Sequence, residues 1–136
     1  MKDHVALLLL DQNKFLFVKR SKSKKTLPGI WAFPSGTVED GEEIYETAKR
    51  EAKEELGVEI EVKNLLAVKE LADFNVCLHF LVCVVLKGIP NIKALDEFEE
   101  LSWLSFQQFF EKYSDSEIGH GLIFLRQHPE IWKDYS

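Results

Sequence analysis

Residues 36–58, GTVEDGEEIYETAKREAKEELGV, constrain most strongly what this chain can fold into. Residues 44–56 contain neither Gly nor Pro and run into Gly57, which predicts a helix closed by a left-handed glycine cap. Glu42 and Glu43 suit its positive N-terminal end. At about 100° per residue, Tyr45, Ala48, Ala52 and Leu56 form one apolar strip, and its two alanines let the helix approach a sheet closely. Beside that strip, Glu51, Glu54 and Glu55 share an arc of roughly 100°. Like charges at this spacing oppose helix formation. A folded protein tolerates the cluster when a hard cation neutralises it, and oxygen-only ligation suits Mg²⁺ or Mn²⁺. Such a helix docks on a core while presenting carboxylates to a cleft.

The rest of the chain reads as strands and short helices around it. Residues 5–10 and 14–19 are apolar runs separated by Asp11-Gln12-Asn13, a hairpin signal, and the first run lacks polar alternation, as in a strand buried on both faces. Residues 21–29 are polar, end in Pro28-Gly29 and predict a loop. Short strands are expected at 31–33 and 37–38, further strands at 59–62, 67–74, 76–86 and 101–104. Ser105 or Ser102 opens a helix near 106–112, and a last helix spans roughly 116–126 with Pro129 beyond its end. The 136 residues predict a single α/β domain, 1–136, with no internal repeat or linker.

Net charge is −6, unevenly spread: residues 1–25 hold seven Lys/Arg against two Asp. The acidic body argues against a stable nucleic-acid partner and suits a protein that takes up divalent metal and then a phosphorylated small molecule. In the basic stretch 19–25, Arg20 is the candidate phosphate contact, because a strand fixes it; the neighbouring lysines read as solvated. No apolar run is long enough for a membrane span or a signal-peptide core, so the expectation is a cytoplasmic protein with no membrane partner. Cys77 and Cys83 share one strand face and read as buried free thiols.

The stretch resembles the Nudix box of the MutT-like pyrophosphohydrolases, G-x5-E-x7-R-E-U-x-E-E-x-G-U with U aliphatic. Gly36, Glu42, Arg50, Glu51, Glu54, Glu55 and Gly57 fill its fixed positions, and Ala52 and Val58 its U positions. The resemblance covers about residues 3–112 and implies a Nudix-type α/β/α sandwich, a mixed sheet between helices. It implies a metal-dependent hydrolase of a nucleoside diphosphate linked to another moiety, with Mg²⁺ or Mn²⁺ held by Glu51, Glu54 and Glu55. It also implies a backbone ligand from Ser35, where many relatives have Gly, and a clamp on the carboxylates from Arg50, itself paired with Glu42. A further carboxylate six residues before a Trp falls on Glu97, ahead of Trp103. Which glutamate takes the water's proton varies within the family, and the resemblance leaves a homodimer open.

The segment 27–34, LPGIWAFP, resembles the approach to the box in MutT-like nucleoside triphosphate pyrophosphohydrolases. The proline expected near position 73 in many ADP-ribose hydrolases is Asp73 here. The resemblance therefore favours a nucleoside triphosphate cut to monophosphate and pyrophosphate, with nucleotide-sugar or ADP-ribose pyrophosphatase second. A non-catalytic nucleotide-sensing module is a third reading, opposed by the complete glutamate set, and RNA decapping lacks a basic surface. Phe33 is the candidate for stacking on a base, with core packing as its competing role. His79, mid-strand among apolar residues, reads as a packing histidine; His4, His120 and His128 show no pairing pattern.

Overall fold

The first apolar run becomes β1 (Lys2–Asp11), whose residues 5–9 are buried. Gln12 and Asn13, both at positive φ, turn the chain into β2 (Lys14–Arg20). The computed structural model describes residues 1–93 and 96–135. Then follow β3 (Trp31–Ala32), β4 (Ser35–Thr37), α1 (Ile44–Leu56), β5 (Glu59–Leu71), β6 (Val76–Lys87) and β7 (Phe98–Leu104). The chain closes with α2 (Phe106–Lys112), α3 (His120–Gln127) and α4 (Pro129–Trp132).

The strands form a seven-stranded mixed sheet ordered β3-β2-β1-β6-β5, with β4 added to β1 and β7 to β2. β1 and β6 run parallel over residues 2–9 and 76–83; the remaining pairs are antiparallel. Alternation along β1 and β6 divides the core in two. Val5, Leu7, Leu9, Leu81 and Cys83 pack under Ala48, Ala52 and Leu56 of α1. Ala6, Leu8, Phe80 and Val82 face Phe106, Phe109, Leu122 and Leu125 of the C-terminal helices. The sheet is thus sandwiched between α1 and α2–α4, a mixed α/β/α arrangement. Among the described residues, no helix is long and apolar enough to cross a membrane.

Four local expectations are corrected. Residues 59–74 are one long strand and a short helical turn, because bulges after Glu59, Val62 and Leu65 keep pairing to β6 through the polar stretch at 63–64. The turn at Ala72–Phe74 closes on Asn75 at φ 54°, which makes β5 and β6 a hairpin. The last long helix starts at His120, because the Gly119 N–H donates to the Trp31 carbonyl (2.9 Å) and Ile118 bridges to Trp31, holding the chain extended. Pro129 then opens α4, in the first-turn position a proline accepts. On α1, Tyr45 is 43% exposed and Thr47 is fully buried. Of the thiols, Cys83 is buried but Cys77 only half so.

Candidate active site

α1 begins with a capping box between Glu43 and Glu46 and ends at Gly57, φ 70°. Its alanines lie at 0% exposure against the sheet, so the arc holding Glu51, Glu54 and Glu55 sits at the rim of that contact. The three differ sharply in environment. Glu54 is 59% exposed and Glu51 only 12%. Glu55 is half-buried, and its Oε2 has no hydrogen-bond partner among the described residues. Desolvation first, then Glu51, Glu97 and Glu54, push the Glu55 carboxyl well above the ordinary carboxylate range.

Arg50 is the positive centre beside this cluster. Its Nε and Nη2 fork onto Glu42 at 2.8 and 3.0 Å, Nη1 donates to Glu51 (2.8 Å) and Glu54 (3.2 Å), and Nη2 also donates to the Thr37 carbonyl (3.1 Å). Glu42 Oε1 further accepts from the Thr47 hydroxyl (2.6 Å) and the Glu39 N–H (3.1 Å). These contacts, Arg50 foremost, lower the Glu42 carboxyl to about 2. The buried Thr47, not singled out from the sequence, thus fixes Glu42, which fixes Arg50. Its signal was present in the spacing, since Thr47 and Glu42 are five residues apart across the helix start.

Gly36 lies against the Glu51 side chain: a Cβ there would meet Glu51 Cδ at 2.2 Å. The backbone neighbour is rigid on both sides, because β4 pairs Gly36 with Val5. Gly36→Ala therefore displaces Glu51, and kcat is expected to fall roughly 10²-fold, since misplacement by about 1 Å costs that much. Steady-state kinetics beside a melting curve check this. Wild-type kcat in a folded variant would contradict the packing argument.

The remaining predicted residues divide between this cluster and a cavity. Glu97, just before β7, has both oxygens held by Lys24 Nζ at 2.9 and 2.8 Å and acts electrostatically on Glu55. Lys24 is thus an ordered partner of the carboxylate cluster, and nothing local in the sequence marks a pair 73 residues apart. Ser35 opens β4, exposed, without the positive φ that would have favoured glycine. Ser35 also lines a cavity of about 250 Å³ together with His4, Arg20, Phe33, Phe74 and His120. No cluster glutamate lines that cavity, whereas Gly36, the residue after Ser35, lies against Glu51.

Within the cavity wall, the Arg20 guanidinium is anchored on the Thr26 carbonyl (2.9 and 3.2 Å) and hydroxyl (3.1 Å), tying the loop after β2 to its strand. Phe33 is only 5% exposed and stacks on Phe17 at 5.0 Å, so core packing takes most of its ring. Two histidines without a sequence signal line the same cavity. His4 bonds Thr37 Oγ1 at 3.3 Å, and burial and then Lys2 lower its pKa below the ordinary histidine value; His120 packs on Phe74 with ring centroids 4.6 Å apart.

The chain is similar to known proteins. The chain is 30% identical over 112 residues to Nudix hydrolase 2 of Arabidopsis thaliana, covering 79% of this chain and 40% of that protein. It is 28% identical over 116 residues to the nucleoside triphosphatase NudI of Salmonella arizonae, covering 77% of this chain and 82% of the relative. A Nudix hydrolase structure from Nitrosomonas europaea superposes with a TM-score of 0.76 at 20% identity, covering 98% of this chain and 88% of the other, and shares its fold. The chain spans less than half the length of the Arabidopsis protein it matches. The NUDIX domain family itself matches residues 2–123, a span that takes in the sheet, the glutamate helix and the clamp around Arg50, and so this chain belongs to the Nudix hydrolase family.

Proposed function

We propose that the protein hydrolyses a phosphoanhydride bond in a nucleoside diphosphate linked to another group, and foremost cuts a nucleoside triphosphate to monophosphate and pyrophosphate. One observation carries the proposal: a buried carboxylate oxygen of Glu55 without a partner, among Glu51, Glu54 and Glu97, with Arg50 and Lys24 as the cations at the margins. Such a cluster lacks positive charge at its centre, and its all-oxygen donors fit a hard divalent ion.

Glu51, Glu54, Glu55 and Glu97, with the Ser35 carbonyl, would hold Mg²⁺ or Mn²⁺. When bound, the ion offsets charge on phosphate oxygens and lowers the pKa of a coordinated water. Arg50 acts through its neighbours: gripped by Glu42 and Thr37, it holds Glu51 and Glu54 in position. A glutamate of the cluster takes the proton of the attacking water. The cavity beyond Ser35 accepts the nucleoside on aliphatic and aromatic walls, and Arg20 at its margin steadies the phosphates. The Salmonella relative named a nucleoside triphosphatase matches over most of its own length, which supports this substrate class over ADP-ribose. Two unpaired thiols suit a reducing compartment, and we place the protein in the cytosol.

A panel of common nucleoside triphosphates, an oxidised guanine nucleotide, ADP-ribose and a nucleotide sugar tests the assignment. A triphosphate is expected to give the highest kcat/KM; ADP-ribose or the sugar nucleotide in first place would refute the substrate class. Arg20→Ala is expected to raise KM more than it lowers kcat, because it removes a cation at the cavity margin whose own side-chain bonds go to Thr26 rather than to the carboxylates. A fall in kcat at unchanged KM would remove Arg20 from substrate binding.

A further inference from the structure

The parallel register of β1 and β6 sets Asp3 opposite Cys77 and Val5 opposite His79. Side chains two apart on a strand share a face. Asp3, Cys77 and His79 therefore lie on the α1 side of the sheet, whereas His4 and Leu78 line the cavity on the other. A carboxylate oxygen, a thiol sulfur and a ring nitrogen from these three residues lie within 4.8 Å of one another. His79 Nε2 is 3.1 Å from Asp3 Oδ1, while Nδ1 of the same ring is buried without a hydrogen-bond partner among the described residues. Leaving a buried ring nitrogen unpaired costs free energy, and the Asp3 contact satisfies only the other nitrogen of the His79 ring. Nothing local in the sequence marks this trio, because Asp3 and His79 are 76 residues apart and only the strand register joins them.

We propose that Asp3, Cys77 and His79 form a second metal site, selective for a borderline divalent ion such as Zn²⁺ and separate from the glutamates of α1. The donor set decides the ion. Thiolate and imidazole are favoured ligands of Zn²⁺, whereas Mg²⁺ takes oxygen donors. Three protein ligands leave a coordination position for water or a small ligand. Binding releases the thiol proton to solvent and ties the start of β1 to β6. The same Asp3 accepts the Val38 N–H on its carbonyl at 2.9 Å, so the clip sits at the base of the segment that leads from Gly36 to Glu42. The proposal stands apart from the hydrolase reading: it needs no turnover.

Co²⁺ titrated into the metal-free full chain tests it, because a thiolate ligand gives a near-ultraviolet charge-transfer band that carboxylates do not. The expected result is a band saturating at one equivalent, abolished by added Zn²⁺ and absent in Cys77→Ala. Asp3→Asn and His79→Asn should each weaken Co²⁺ binding at this band by at least about tenfold. Circular dichroism melting confirms that each variant is folded; if Cys77→Ala is not, the Asp3→Asn titration decides alone, since that side chain is exposed. No band in the wild type, an unchanged band in folded Cys77→Ala, or unchanged affinity in Asp3→Asn overturns the site.

Discussion

Glu54→Gln is expected to lower kcat by about 10³-fold, a loss of about 4 kcal/mol in transition-state stabilisation, while the protein remains folded. The two halves of this expectation come from different parts of the structure. Glu54 is the most exposed of the three helix carboxylates, and its one direct partner among the described residues, Arg50, keeps its bonds to Glu42, Glu51 and Thr37. Exposed ion pairs contribute about 0–1 kcal/mol, so the melting temperature should move by no more than about 3 °C. In the proposed mechanism turnover instead depends on a charged oxygen facing the phosphates, and the amide supplies none. Retained kcat in the folded variant would remove the proposed role of this helix; a loss of kcat with an equal loss of folded protein would mean that the residue is structural.

The second large effect is on stability. Without divalent metal, the protein is expected to lose stability as the pH rises, and Mg²⁺ or Mn²⁺ should restore it. The folded value of Glu55 is raised above its ordinary 4.5 by desolvation and then by Glu51, Glu97 and Glu54. A carboxyl whose folded value is raised holds its proton in the native state when the unfolded chain has released it. Its contribution is complete below the ordinary value and is lost as the pH climbs toward the folded one. In chelator, melting temperature should therefore fall from about pH 5 into the alkaline range, and Glu55→Gln should flatten that fall. Metal at a hundred times its Kd adds about 2.7 kcal/mol, roughly 8 °C for a chain of this size. Glu51→Gln with Glu55→Gln should reduce the rise to within about 2 °C, two of the proposed ligands being gone. Equal rises in both proteins would put the metal elsewhere.

α1 was legible to the residue because several signals agree: 3.6-residue periodicity, acidic residues at its start and a glycine at its end. The Glu42–Arg50 pair was legible for the same reason, since a single helix fixes the geometry between them. Legibility failed where tertiary contacts override local pattern. Tyr45 belongs to the apolar strip by periodicity, yet the chain entering the helix leaves it exposed and buries Thr47. The polar residues at 63–64 suggested a break, but bulges carried β5 across them. Lys24–Glu97 and Asp3–Cys77–His79 join residues distant in sequence, and only the sheet register and the loop after β2 bring them together. The cavity histidines His4 and His120 come from opposite ends of the chain and carry no spacing to read.

The proposed function requires the carboxylates around Glu55 to support cleavage of a phosphoanhydride with divalent metal. The most direct test follows the phosphorus signals of a nucleoside triphosphate by ³¹P NMR, with purified protein in Mg²⁺ and again in chelator. Equal amounts of monophosphate and pyrophosphate should appear in Mg²⁺ and neither in chelator, with Glu54→Gln silent in both. Orthophosphate and a diphosphate in their place, turnover that persists in chelator, or Glu54→Gln turning over at the wild-type rate would contradict it.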